Sequence, residues 1–252
     1  MGMARQSDPS HQAAPGVPVL ITRPRAQAES FARKLTARFG SRVRPSVSPL
    51  MSPQFLSPPM PEGPFAAVIF TSAQGVEGAI QLRAELPRLA YCVGRATAAA
   101  AAAAGFDALS SDGDVTDLVA TLLSKPKNGR FLYLRGVDTA GELENHLISN
   151  NIPVVSLQVY LQKSLPLEGE SLSLLSHPGP VILPLFSPRS ALIFQSAMPA
   201  VPVAYLSVAA MSQAVATAAS GIPHRALVIA ARPDADAMLD AVESLLAAAP
   251  LP

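Results

Sequence analysis

The sequence predicts an α/β protein of two similar parallel-sheet domains, one of them discontinuous. Three observations carry this. Apolar runs of four to seven residues alternate with helical patterns along the chain, as expected of parallel sheets covered by helices. Pieces of that pattern also come twice. Residues 66–80, AAVIFTSAQGVEGAI, and residues 181–194, VILPLFSPRSALIF, each run apolar, break at Thr71-Ser72 or Ser187-Pro188, and continue as helix. LAYCVGRATAAAAAAAGF (89–106) is then matched by VAYLSVAAMSQAVATAASGI (203–222), with Phe70 to Phe186, Tyr91 to Tyr205 and Gly105 to Gly221 at nearly constant separation. Finally, the second half is one strand–helix unit short, and VLITRPRAQAESFARKL (19–35) resembles LVIAARPDADAMLDAVESL (227–245), so the start of the chain can complete it.

Taken in order, residues 1–16 are polar and small and read as a disordered tail. VPVLIT (17–22) is the first strand, followed by a helix with Ala28, Phe31, Ala32, Leu35 and Phe39 on one face and Pro24 at its start. Residues 45–64 carry seven prolines and read as a crossing plus a surface loop without regular structure. VIFT leads to a helix with Val76, Ala79 and Ile80, and AYCV to the alanine-rich helix 96–104. Asp114 caps a helix presenting Val115, Leu118, Val119 and Leu122. RFLYLRG (130–136) precedes a helix with Leu143 and Leu147. Residues 155–162 alternate strictly, with Ser156, Gln158, Tyr160 and Gln162 on the polar side, so this strand reads as half-exposed and connecting two domains. The expected domains are 17–44 plus 165–250, and 50–155, with 45–49 and 156–164 as linker strands.

At 252 residues the chain suits two domains. A net charge of +1 gives no general affinity for nucleic acid. Cys92 is the only cysteine, and His11, His146, His177 and His224 have no ligand spacing, so neither a disulfide nor a metal site is expected. No run suits a signal peptide or a membrane span, and the expected location is cytoplasmic. The positive mean hydropathy comes largely from alanine.

The residues that could carry chemistry gather at strand ends. Thr71-Ser72 and Ser187-Pro188 stand where a strand passes into a helix, and either cap the helix or present its free N–H groups to a carboxylate or phosphate. Val93-Gly94-Arg95-Ala96-Thr97 combines close backbone approach with a cation, but is neither a dinucleotide fingerprint nor a phosphate loop. Arg23, Arg135 and Arg232 each follow a strand and either meet solvent or line an anion-binding cleft. Tyr160 either packs or presents a phenol that donates a proton. No GxSxG elbow, HExxH or paired cysteine nucleophile is present.

In sequence order, VLITRP, VIFTS, YCVGRAT, FLYLRG, the VY of Val159-Tyr160, LFSPRS and ARPDADAML resemble uroporphyrinogen III synthases over residues 17–246. The resemblance implies two flavodoxin-like α/β domains, one discontinuous, joined by a two-stranded linker. It implies a cytoplasmic lyase of porphyrin, tetrapyrrole and heme biosynthesis that needs no cofactor or metal. Such an enzyme cyclises hydroxymethylbilane to uroporphyrinogen III, losing water to an azafulvene and inverting ring D through a spiro intermediate. The substrate's eight carboxylates fit a cleft of helix N-termini, hydroxyls and arginines. By position, Tyr160 corresponds to the tyrosine assisting hydroxyl loss. Substrate contacts are expected from Thr71, Ser72, Gly94, Arg95, Ala96, Thr97, Arg23, Arg135, Gly136, Ser187 and Pro188. Where many members carry a Gly-Pro-Thr-Thr-like loop, this chain has Leu206–Ala210, with Ser207 in place of the glycine. A monomer is expected, receiving substrate by transient hand-off from hydroxymethylbilane synthase, without nucleic acid or membrane. The competing readings are a non-catalytic two-domain module for an anionic small molecule and a nucleotide-using α/β enzyme.

Overall fold

A computed structural model describes residues 16–124, 129–138, 142–167 and 169–248. The tail expected over 1–16 lies outside these residues except for Gly16. The chain divides into two compact units, Met1–Ser52 with Ser164–Pro252, and Pro53–Lys163.

The discontinuous unit holds β1 (Val17–Ile21), α1 (Arg25–Phe39), a short 3-10 turn (Gly40–Arg42) and β2 (Val43–Val47). The chain then crosses through β3 (Met51–Phe55) into the second unit. There it forms β4 (Phe65–Phe70), α2 (Ala73–Leu82), β5 (Leu89–Cys92), α3 (Arg95–Ala103), β6 (Asp107–Ser110), α4 (Val115–Leu123), β7 (Arg130–Gly136), α5 (Glu142–Ser149) and β8 (Val154–Ser164). It returns to the first unit as α6 (Gly169–Ser176), β9 (Pro180–Leu185), α7 (Pro188–Ala197), β10 (Tyr205–Ala210), α8 (Gln213–Ala218), β11 (Ala226–Ile229) and α9 (Ala235–Ala248).

The first unit's sheet has the order β11-β10-β9-β1-β2, with its strand pairs parallel. The second unit's sheet has the order β3-β8-β7-β4-β5-β6, parallel from β8 to β6. Read from β9 onward and through the chain start, the first sheet has the same order as β4 to β8. The two units therefore share one strand plan, begun at different points. Each sheet is covered on both faces. Leu183, Val208 and Phe194 share one core with α8, and Ile21, Ile182 and Phe31 another with α9. In the second unit Phe70, Leu132 and Val76 lie on one face, and Ile69, Tyr133 and Leu118 on the other. Burial on both faces is why these strands read as continuous apolar runs.

One expectation needs correction. The proline-rich stretch 45–64 contains two strands, because Pro45 and Pro53 lie in β2 and β3, which are edge strands. An edge strand tolerates a residue without an N–H. Of the segments expected as linker strands, residues 45–47 pair with β1, and 156–164 belong to β8. Val76 and Ala79 of α2 are buried, and Ile80 is exposed.

Helix α2 lies unusually close to its sheet. A Cβ on Gly75 would stand 2.8 Å from the Leu134 carbonyl oxygen, and one on Gly78 would stand 2.7 Å from Val159 Cγ2 and 2.9 Å from its Cβ. Gly78→Ala forces β8 and α2 apart at a cost exceeding the gain in helix propensity, so a net loss of about 1–2 kcal/mol is expected. Urea denaturation of wild type and variant measures it.

Candidate functional site

In each sheet the strand order reverses once. In the second unit β4 leads through α2 to β5 on one side, while β7 leads through α5 to β8 on the other. Between the carboxyl ends of β4 and β7 lies the crevice where ligands of open α/β sheets bind. Thr71 and Ser72 leave β4 there. Ser72 has an extended backbone (φ −152°) and is the N-cap of α2, its Oγ accepting from the Gly75 N–H at 3.2 Å. The same Oγ lies 3.0 Å from the phenol oxygen of Tyr160 on β8. One residue earlier, Thr71 Oγ1 lies 3.1 Å from the phenol oxygen of Tyr133 on β7. Two hydroxyls in one turn are thus each held by a tyrosine from a different strand.

Tyr160 does not lie on an exposed polar face. The pairing of β8 with β7 shifts between Arg135↔Gln158 and Gly136↔Tyr160, leaving Val159 as an extra residue. Such a bulge resets the alternation, and Leu157, Val159 and Tyr160 all join one core, with Tyr160 only 7% exposed. Gly136 makes room for the ring. A Cβ there would stand 2.8 Å from Tyr160 Cζ and 3.0 Å from its hydroxyl oxygen.

Arg135 is the penultimate residue of β7 rather than part of a following loop. Its Nη1 donates to the Gly136 carbonyl at 3.0 Å, and its Nη2 lies 3.8 Å from Glu144. Its Nε is buried without a partner among the described residues. The guanidinium is therefore fixed by one carbonyl and one distant carboxylate, leaving donor capacity.

At the end of β5, Gly94 is the N-cap of α3, with φ −133° and no side-chain cap. A Cβ on Gly94 would meet nothing within 4 Å, so neither backbone conformation nor packing requires glycine there. The first N–H groups of α3, on Arg95, Ala96 and Thr97, are left without a capping side chain. Thr97 is itself buried. The Arg95 side chain, 83% exposed, pairs with Asp112 through Nε at 3.0 Å and Nη2 at 3.4 Å. That bond holds the Asp112 carboxyl below the usual carboxylate range.

The first unit repeats the plan between β9 and β1. Ser187 is the N-cap of α7 (φ −150°), accepting from the Ser190 N–H at 3.1 Å and sharing a 2.8 Å bond with the Ser190 hydroxyl. Pro188 occupies the first helical turn, where its missing N–H costs nothing. Arg23, just beyond β1, stacks 4.0 Å from the Phe186 ring centroid and donates to Gln27 at 3.0 Å. Burial lowers its pKa. Arg232, which follows β11, is held by Asp234 at 2.9 Å.

Ser207 requires correction. It lies inside β10, in register with Ile182 and Ala226, and not in a loop. Aligned at Tyr91 and Tyr205, the repeats suggest equivalence, but β10 spans six residues where β5 spans four. The hydroxyl at the strand's end is instead Ser212, the N-cap of α8, accepting from the Val215 N–H at 3.4 Å. Ser212 and Tyr133 are the residues that sequence reasoning missed. The Ser-Gln-Ala-Val start of α8 is a readable cap signal for the first; Tyr133 reads only as part of an apolar strand.

Among the described residues, no cluster of three or more His, Cys, Asp or Glu could hold a metal ion. Cys92 is buried, which raises its thiol pKa to about 11 and leaves it protonated and unreactive at neutral pH. No described helix is long and apolar enough to cross a membrane.

Comparison with known proteins yields one family. The model of uroporphyrinogen-III synthase HemD matches residues 30–240. Among solved structures, uroporphyrinogen-III synthetase from Helicobacter pylori aligns at TM-score 0.60 and 19% identity, over 91% of this chain and 99% of that one. A selenomethionine variant of uroporphyrinogen III synthase from Thermus thermophilus aligns at TM-score 0.48 and 17% identity, over 92% and 100%. At such identity the likeness is one of fold. A search of curated proteins returns no match.

Proposed function

Since this chain belongs to the uroporphyrinogen-III synthase family, we propose that it cyclises hydroxymethylbilane to uroporphyrinogen III, inverting ring D through a spiro intermediate with loss of water. The observation that carries this beyond family membership is the 3.0 Å contact between Tyr160 and Ser72 at the switch point of the second unit.

Its chemistry follows from counting hydrogens. Ser72 Oγ already accepts from the Gly75 N–H. Its own hydrogen can point to the Tyr160 oxygen, which leaves the phenol O–H free. In the opposite arrangement the phenol donates and the serine O–H is free. Either way one hydroxyl hydrogen of the pair is not used in the bond they share. In the reading proposed, the phenol O–H protonates the substrate's leaving hydroxyl, water departs, and an azafulvene remains. The rest of the task is conformational: the chain must be folded so that ring D closes inverted before the unassisted closure to the symmetric isomer.

A polycarboxylate can be held with few fixed cations. The uncapped start of α3 at Gly94 offers the N–H groups of Arg95, Ala96 and Thr97, and Gly94 admits a ligand to the backbone. Thr71, Ser72, Arg135 and Gly136 complete this set in one unit; Arg23, Ser187 and Pro188 form the matching set in the other. Arg95 exchanges Asp112 for a substrate carboxylate at small cost, because an exposed ion pair is worth little. We assign the enzyme to the hydro-lyases, place it in the cytoplasm as a monomer, and expect transient hand-off of substrate from hydroxymethylbilane synthase.

The test is a coupled assay in which hydroxymethylbilane is generated in situ and the oxidised porphyrin isomers are separated. The type III isomer is expected to predominate. Type I alone, with the protein folded, would favour a non-catalytic module for an anionic ligand. Tyr160→Phe is expected to lower turnover roughly a hundredfold while changing affinity for uroporphyrin III by less than about threefold. Unchanged turnover would remove the phenol from the mechanism.

A further inference from the structure

We infer that Tyr133 is a positioning residue that fixes the Thr71 hydroxyl as an outward hydrogen-bond donor to a substrate carboxylate. The inference deepens the synthase reading above and rests on it. Tyr133 is 1% exposed on β7, in the core between Ile69, Leu118 and Leu147. Burial raises the pKa of its phenol, an effect the Thr71 bond partly offsets, so the group is neutral and carries its hydrogen. The one hydrogen-bond partner of that phenol among the described residues is Thr71 Oγ1, at 3.1 Å.

A hydroxyl pair can share its bond in either sense, but here the two senses differ in cost. If Thr71 donated, the phenol hydrogen would stand buried without an acceptor, and a buried unsatisfied donor is penalised by its full desolvation cost. If Tyr133 donates, both groups are served, because Thr71 is only half-buried and its own hydrogen can turn toward the open side of the strand end. The buried phenol therefore sets the polarity of the threonine. Thr71 faces the crevice with a hydrogen rather than with lone pairs, which is the polarity a carboxylate accepts. The adjacent Ser72 differs: its oxygen is shared among the helix start and Tyr160. One turn thus carries two hydroxyls with separate duties, Thr71 for holding an anion and Ser72 for the proton of Tyr160.

The test is a double-mutant cycle of Tyr133→Phe and Thr71→Val, read as KM, kcat and dissociation constant for uroporphyrin III. Each single variant is expected to raise KM and the uroporphyrin III dissociation constant about fivefold, with kcat within about twofold of wild type. The double variant is expected to show the same fivefold effect and not the product of the two. Thr71→Ser, which keeps the hydroxyl, is expected to bind as wild type. A purely structural role for Tyr133 would lower the unfolding midpoint of Tyr133→Phe with KM unchanged, and that result overturns the inference. Additive losses in the double variant overturn it as well. Wild-type protein that neither forms the type III isomer nor binds uroporphyrin III would instead bring down the synthase reading. Type III product with unaltered KM in both single variants would bring down this inference alone.

Discussion

The arrangement in the second unit depends on how closely backbone and ring can approach at three glycines. Gly75 and Gly78 seat α2 directly on β7 and β8, where any side chain would overlap the Leu134 carbonyl or Val159. Gly136 leaves the space that the Tyr160 ring fills. These contacts set the height of the α2 N-terminus above the sheet, and that height places Ser72 at hydrogen-bonding distance from Tyr160. The bulge at Val159 supplies the remaining condition by turning Tyr160 inward. Packing and backbone geometry are here one constraint: loosening the helix moves Ser72 away from the Tyr160 hydroxyl.

The first unit shows what belongs to the shared plan and what does not. Both units begin a helix with a serine cap at the strand-order reversal, Ser72 in one and Ser187 in the other. Such caps serve helix stability in any protein. Among the described residues the tyrosines on Thr71 and Ser72 have no counterpart at Ser187, whose hydroxyl meets Ser190 instead. A duplicated scaffold therefore supplies anion-binding helix starts twice. Among the described residues the tyrosine–hydroxyl pairs at a helix start occur in one unit, which is the unit to which we assign the chemistry.

Most of the architecture is legible in the sequence because parallel strands buried on both faces leave continuous apolar runs, and because the repeats mark equivalent loops. The caps at Ser72, Asp114 and Ser187 are local and equally readable. What escapes is set by partners distant in sequence. Tyr160 alternates as if exposed, and only its pairing with β7 introduces the bulge that buries it. Tyr133 sits in an apolar run and shows its polar duty only when Thr71, 62 residues away, is brought to its hydroxyl. Pro45 and Pro53 argue against strands until their place at sheet edges is known. Ser207 is misassigned because Tyr205 opens β10 whereas Tyr91 lies near the end of β5, so the strand runs on past Ser207 and the helix cap falls at Ser212.

The central claim is that the Tyr160 hydroxyl, held on Ser72, carries the reaction. Gly136→Ala tests it most directly, since a methyl group 2.8 Å from the ring's Cζ and 3.0 Å from that hydroxyl oxygen displaces the phenol without removing any polar group. The measurement is turnover of hydroxymethylbilane to the type III isomer, with near-UV circular dichroism to establish a folded variant. The account predicts a folded protein that has lost most of its turnover. A folded variant with wild-type turnover would show that the reaction does not need the phenol where this structure holds it.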